Sequence, residues 1–147
     1  VLEPDEKNFR KLERAAASFP AGNIRLVRAA SWSRDGELSF CGKAGRSSFL
    51  SPAGGQTVPV RSVDSLSAGE RVSFLKMDVE GAEAQTLPGA AETIRRWAPK
   101  LAVSAYHRSG DLFRLPLLIR SLRPDYRLFL RHQPYIPAWE TNLYAVL

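Results

Sequence analysis

Three short stretches place acids, a glycine and a histidine where a ligand site at the end of a sheet would need them. Asp78-Val79-Glu80-Gly81 follows the apolar run VSFLKM, Tyr106-His107 follows LAVSA, and Glu3 follows Val1-Leu2. In open parallel sheets, ligands bind beyond the carboxyl ends of the strands, so the polar residue after each apolar run is the one to weigh. One carboxylate accepts hydrogen bonds from both hydroxyls of a nucleoside ribose, a task that suits Glu3. The plainer reading of an acid before a helix is a cap or dipole partner. Asp78 and Glu80 would be carried to the rim by their strand, and Gly81 permits a tight turn or a close ligand approach. Alternatively both acids cap a helix starting near Ala82. The His107 imidazole titrates near neutral pH, which suits a general base, and a structural hydrogen bond at a strand end is the bland alternative. Tyr106 reads as packing.

Elements capable of positioning these groups alternate along the chain. Residues 5–17 suit a helix, with Asp5 and Glu6 at its positive end and Phe9 and Leu12 on one face, and Pro20 and Gly22 stop it. Residues 24–30 read as a strand, with Ser31 and Trp32 just beyond it. Strands are expected over 37–41 and 57–60, flanking a Gly- and Ser-rich loop over 42–55, with a short turn over 63–66. Residues 72–77 form a buried-strand candidate. Helix over 83–98 is interrupted at Pro88-Gly89, so the longer piece runs 90–97 and stops at Pro99. A second apolar strand covers 101–106. Leu112, Leu115, Ile119 and Leu122 recur at helical spacing behind Asp111, a candidate cap, with Pro116 expected to kink the first turns. Strands over 126–130 and 142–147, joined through Pro134 and Pro137, are expected to pair antiparallel beyond the parallel strands that end at Asp78 and Tyr106. The sum is an α/β layer fold with a mainly parallel sheet.

Bulk properties narrow the function classes. A chain of 147 residues, 44% hydrophobic and 24% charged, has the profile of one folded domain. The net charge of +6 comes from arginines scattered between Arg10 and Arg131 instead of a stripe, which argues against a nucleic-acid surface. Arg108 and Arg131 could hold an acidic substrate, although solvated arginines are commoner. Cys41 is the one cysteine, so no internal disulfide forms and no metal site is expected. No apolar run nears the roughly 20 residues of a membrane span, and the start lacks the order of a signal peptide. A cytoplasmic location is expected.

The segments LEPDEKNF at the start, SVDSL from Ser62, FLKMDVEGAEAQTLPGA from Phe74, AYHRSGDL from Ala105, YRLFLRH from Tyr126 and ETNLYAV from Glu140 together resemble the FkbM-type methyltransferases. The resemblance implies a Rossmann-like class I methyltransferase sheet with helices on both faces and a terminal antiparallel hairpin. It implies S-adenosylmethionine as cofactor, held by Glu3 at the ribose, Ser31 beside the adenine, and Asp78 and Gly81 in the cleft, with Trp32 a candidate stacking partner. His107 and Glu80 are then the candidate catalytic residues, His132 a less favoured one, and Asp64 either a family acid or a loop cap. The expected reaction is O-methylation of a sugar, glycolipid or natural product. The competing class is a non-catalytic fragment or interaction module of the same fold. A nicotinamide-dependent oxidoreductase fits less well, because the Asp-Val-Glu-Gly run is foreign to it. The chain opens on two apolar residues with no initiator Met, and the first strand, Gly-rich turn and helix that precede LEPD in the family are absent. Residues 1–147 are therefore expected to be a partial domain, weak in cofactor binding and inactive alone.

Overall fold

The computed structural model describes residues 1–20, 24–41, 49–50, 56–134 and 140–147. Gly22, Pro137 and most of the 42–55 loop lie outside them. Helix α1 (Glu6–Ala16) begins at Asp5, whose side chain accepts the Asn8 amide as a cap. Phe9 and Leu12 are half-buried on one face, yet α1 buries no residue fully.

The expected strand over 24–30 is reduced to two fragments. Val27 forms an isolated parallel bridge with Leu2, held by Val27 N donating to Val1 O at 2.9 Å and Glu3 N to Val27 O at 3.2 Å. Ala29 N then turns back onto Val27 O at 3.0 Å, a two-residue closure that breaks the extended run at Arg28. Pairing resumes in β1 (Ala30–Ser31), so Ser31 lies within a strand and not past one.

Hydrogen bonding divides the named strands between two four-stranded sheets. In the first, β1 lies parallel to β4 (Gln56–Arg61), which pairs antiparallel with β2 (Gly36–Cys41), and β2 pairs with β3 (Phe49–Leu50). The β1 ladder engages β4 at Val60 and Arg61, immediately past Pro59, which has no amide hydrogen to give. In the second sheet β5 (Phe74–Met77) lies parallel to β6 (Lys100–Ser104), which pairs antiparallel with β8 (Thr141–Val146), itself paired with β7 (Arg127–His132). The expected adjacency of the strands before Asp78 and Tyr106, and the closing hairpin beyond them, are both present. Among the described residues, parallel pairing, expected to dominate, is confined to β1–β4, β5–β6 and the Leu2–Val27 bridge.

The main core sits on the β6 and β8 residues Leu101, Val103, Leu143 and Ala145. Against them pack Leu87 and Ala90 of a 3-10 turn (Leu87–Ala90), Ile94 of α4 (Ala91–Trp97), and Leu115 and Ile119 of α5 (Asp111–Leu122). Burial of each such Leu or Ile contributes about 1.5–3 kcal/mol. Strand β5, read as buried, buries only Met77: among the described residues its one strand neighbour is β6, and Phe74 is exposed. Asp111 does not serve as the N-cap of α5. Gly110 holds that position, while Asp111 is itself buried and accepts the Arg108 amide at 3.2 Å. Helix α5 continues unbroken through Pro116.

Candidate functional site

Strand β5 delivers Asp78 to the sheet's carboxyl rim, and the chain then reverses sharply. Glu80 has φ +53° and Gly81 φ +91°, and the Ala82 amide closes the turn on Val79 O at 3.1 Å. A left-handed glutamate costs about 1–3 kcal/mol, and such strain gathers at functional sites. The turn runs directly into α3 (Glu83–Thr86), which has no side-chain cap, so Asp78 and Glu80 stay free of the capping role. Gly81 is needed for its φ and for space: an added Cβ would lie 3.1 Å from Arg108 Nε, whose N–H donates to Gly81 O at 2.7 Å.

His107 is the hub. Its side chain is only 10% exposed, and Nδ1 lies 2.8 Å from Oε1 of Glu83, which is wholly buried. Nε2 faces outward, 3.4 Å from Glu80 Oε2 and 3.7 Å from Asp78 Oδ1. Glu83 Oε1 also accepts the Val79 amide at 3.0 Å, whereas Oε2 is buried with no hydrogen-bond partner among the described residues. Asp78 Oδ1 accepts from Ser104 Oγ at 2.9 Å and Tyr106 Oη at 3.2 Å, and Lys76 Nζ stands 3.8 Å from Oδ2. Tyr106, read as packing, thus holds the acid as well as the neighbouring imidazole ring, 4.2 Å away.

Electrostatics follow from this crowding. Burial pushes the His107 pKa down, but the Glu83 hydrogen bond and the charges of Glu83, Glu80 and Asp78 more than offset it, leaving the imidazole above its ordinary value. Glu80 is raised by burial and by Asp78, Glu83 and Glu3, against the pull of His107. Glu3 is raised chiefly by burial, although its Oε1 accepts the Asp5 amide at 2.8 Å. The Tyr106 hydroxyl is pushed up to about 12 by burial and the Asp78 charge.

Other candidates fall elsewhere. Ser31 offers its carbonyl to Thr86 Oγ1 at 3.1 Å, and Trp32 packs on the small Ala30–Val58–Val60 core. Asp64, in α2 (Val63–Ser67), accepts the Glu92 and Thr93 amides at 3.1 and 2.8 Å, supplying the cap that Ala90 cannot give α4. His132 is exposed on β7 and bonds Thr141 at 2.9 Å across the ladder, with no described contact to the His107 cluster. Arg131 is exposed beside Phe129. Sequence reasoning missed Glu83 and Ser104, and read Asp111 only as a helix cap. Only the placement of Glu83 three residues after Glu80 hinted that both turn toward one side.

Asp78, Glu83 and His107 each bring a ligand atom within 4.8 Å of the others, a spacing a cation could use. Glu83 Oε1 and Asp78 Oδ1 already accept two hydrogen bonds each, while Glu83 Oε2 and Asp78 Oδ2 accept none among the described residues. His107 is hydrogen-bonded to Glu83 alone of the two acids, with Asp78 3.7 Å from Nε2.

The family model for the methyltransferase FkbM domain matches residues 1–137. A 2.20 Å crystal structure of methyltransferase FkbM from Methylobacillus flagellatus KT is similar, at 32% identity and a TM-score of 0.78 over 98% of this chain. The chain spans 35% of that protein's length. No curated protein matches.

Proposed function

The chain belongs to the FkbM methyltransferase family, and from that premise we propose that it takes part in S-adenosylmethionine-dependent methylation of a hydroxyl on a sugar, glycolipid or natural product. The observation that carries this reading is the rim itself: Asp78 and Glu80 stand beside the outward face of His107, Glu80 is held above its ordinary pKa by burial and by the charges of Asp78, Glu83 and Glu3, and Glu3 is raised chiefly by burial. An exposed, crowded acidic rim fits a cationic ligand, whose charge would relieve that repulsion. S-adenosylmethionine supplies a methyl group on positively charged sulfur, which an attacking oxygen takes as the sulfur keeps the bonding pair.

The chain's own residues then have distinct tasks. Glu3 accepts hydrogen bonds from the ribose hydroxyls through the oxygen not held by Asp5. Asp78, fixed by Ser104 and Tyr106, presents its second oxygen to the cofactor. Gly81 supplies the left-handed backbone of the turn that presents Asp78 and Glu80 at the rim. His107 accepts the acceptor hydroxyl's proton at Nε2, and Glu80 stabilises the imidazolium that results. Positioning donor and acceptor in line supplies roughly 7–11 kcal/mol of such a barrier, and a placed base adds about 10²–10⁴-fold.

Calorimetric titration with S-adenosylmethionine tests the assignment. Glu3→Ala and Asp78→Ala should each weaken binding at least tenfold, about 1.4 kcal/mol. Unchanged affinity in both variants overturns the site.

A further inference from the structure

We infer that Glu83 is the positioning residue of His107: its buried carboxylate fixes the proton on Nδ1 and thereby turns the Nε2 lone pair into the gap between Asp78 and Glu80. Geometry carries this. Oε1 lies 2.8 Å from Nδ1, and a carboxylate can only accept, so Nδ1 must be the donor. The side chain is wholly buried and steadied by the Val79 amide, so the carboxylate cannot swing away to water. Its other oxygen is buried without a hydrogen-bond partner among the described residues, an arrangement that stability alone does not favour. The same logic orients metal-binding and triad histidines through a carboxylate on the far nitrogen.

With Nδ1–H committed, a neutral imidazole has only Nε2 left to take a proton, and Nε2 is the nitrogen facing the rim. Among the described residues, the charged and titratable groups around the ring are Asp78 and Glu80 from the β5 turn, Glu83 from α3, Asp111 from α5, and Arg108 with the neutral Tyr106 after β6. Glu83 differs from the other acids in touching the inner nitrogen, where it sets the tautomer as well as the charge. The catalytic sense of this role rests on the function proposed above. Its test does not, because the imidazole is read without cofactor or acceptor.

Long-range proton–nitrogen correlation spectra of nitrogen-15-labelled protein, recorded from pH 5 to 9, report the protonation of each imidazole nitrogen. The chain has two histidines, and His132→Gln removes the second signal. In the otherwise wild-type protein, neutral His107 should carry its proton on Nδ1, the reverse of the form that prevails in free histidine. In Glu83→Gln the amide can donate to Nδ1, so the proton should move to Nε2 and the titration midpoint should fall by at least one pH unit. An Nε2–H tautomer in the protein with Glu83 intact overturns the proposal, as does an unchanged midpoint in folded Glu83→Gln. Should Glu83→Gln fail to fold, the tautomer with Glu83 intact decides alone.

Discussion

Gly89→Ala should be among the most damaging single-methyl additions this chain can receive. An added Cβ at Gly89 would lie 2.2 Å from the Trp32 carbonyl oxygen, 3.0 Å from Ser33 Cα and 3.1 Å from the Trp32 carbonyl carbon, all of them backbone atoms. No side-chain rotation relieves that overlap, so the 3-10 turn and the 31–33 segment must move apart. Overpacking of this kind costs about 1–3 kcal/mol. Separation would also strain the Thr86 Oγ1 to Ser31 O hydrogen bond, worth roughly 0.5–1.5 kcal/mol. The better helix propensity of Ala returns up to about 1 kcal/mol. A net loss of about 2–3 kcal/mol follows. With an unfolding entropy of about 2.1 cal/mol/K per residue, 147 residues lose about 3 °C per kcal/mol, so a melting point roughly 6–10 °C lower is expected. Thermal unfolding by circular dichroism measures it, with Gly110→Ala as the control, since a Cβ there meets nothing within 4 Å. Equal melting points for Gly89→Ala and wild type would refute the reasoning and the close approach beneath it.

Tyr126→Phe should cost about 1–3 kcal/mol in urea unfolding, because it strands the buried Pro99 carbonyl, which the hydroxyl donates to at 2.5 Å. Ala98 ends α4 with φ +46°, so Ala98→Gly should raise stability by roughly 0.5–1 kcal/mol, the relief of left-handed strain exceeding the entropy of glycine. The stability gap between wild type and His107→Gln should depend on pH: a pKa raised on folding adds stability that is complete below the unfolded value of about 6.5 and is lost as pH rises through the folded one. Paired denaturant melts from pH 5 to 9 check this, and a gap that widens with pH contradicts it.

Much of the architecture was legible because local signals agreed. The helix over Glu6–Ala16 has its acidic first turn and cap, and the β5–β6 adjacency with a β7–β8 pair beyond it follows from apolar runs and one short closing loop, whereas the placement of β8 against β6 does not. The strand over 24–30 was misread because its apolar content is real but Ala29 closes back onto Val27, a backbone event with no residue signature. Pro88-Gly89 read as a helix interruption, and it is one; that Gly89 exists to admit the Trp32 backbone is a tertiary fact. At the site, Asp78, Glu80, Gly81 and His107 were visible from their place after apolar runs. Glu83 was not, because an acid at a helix start looks solvated until the fold buries it against the imidazole. Asp64 shows the converse, an acid inside a family-like segment that caps a neighbouring helix.

The central claim, that the acidic rim around His107 holds S-adenosylmethionine, is tested most directly by following backbone amide spectra of labelled protein during titration with that cofactor, which detects binding even in the millimolar range. The account predicts saturable shifts concentrated at Glu3, Ser31 and Asp78 through Gly81, and their loss in Asp78→Ala. Saturable shifts centred elsewhere, such as on β7 or α1, or none at saturating cofactor, would contradict it.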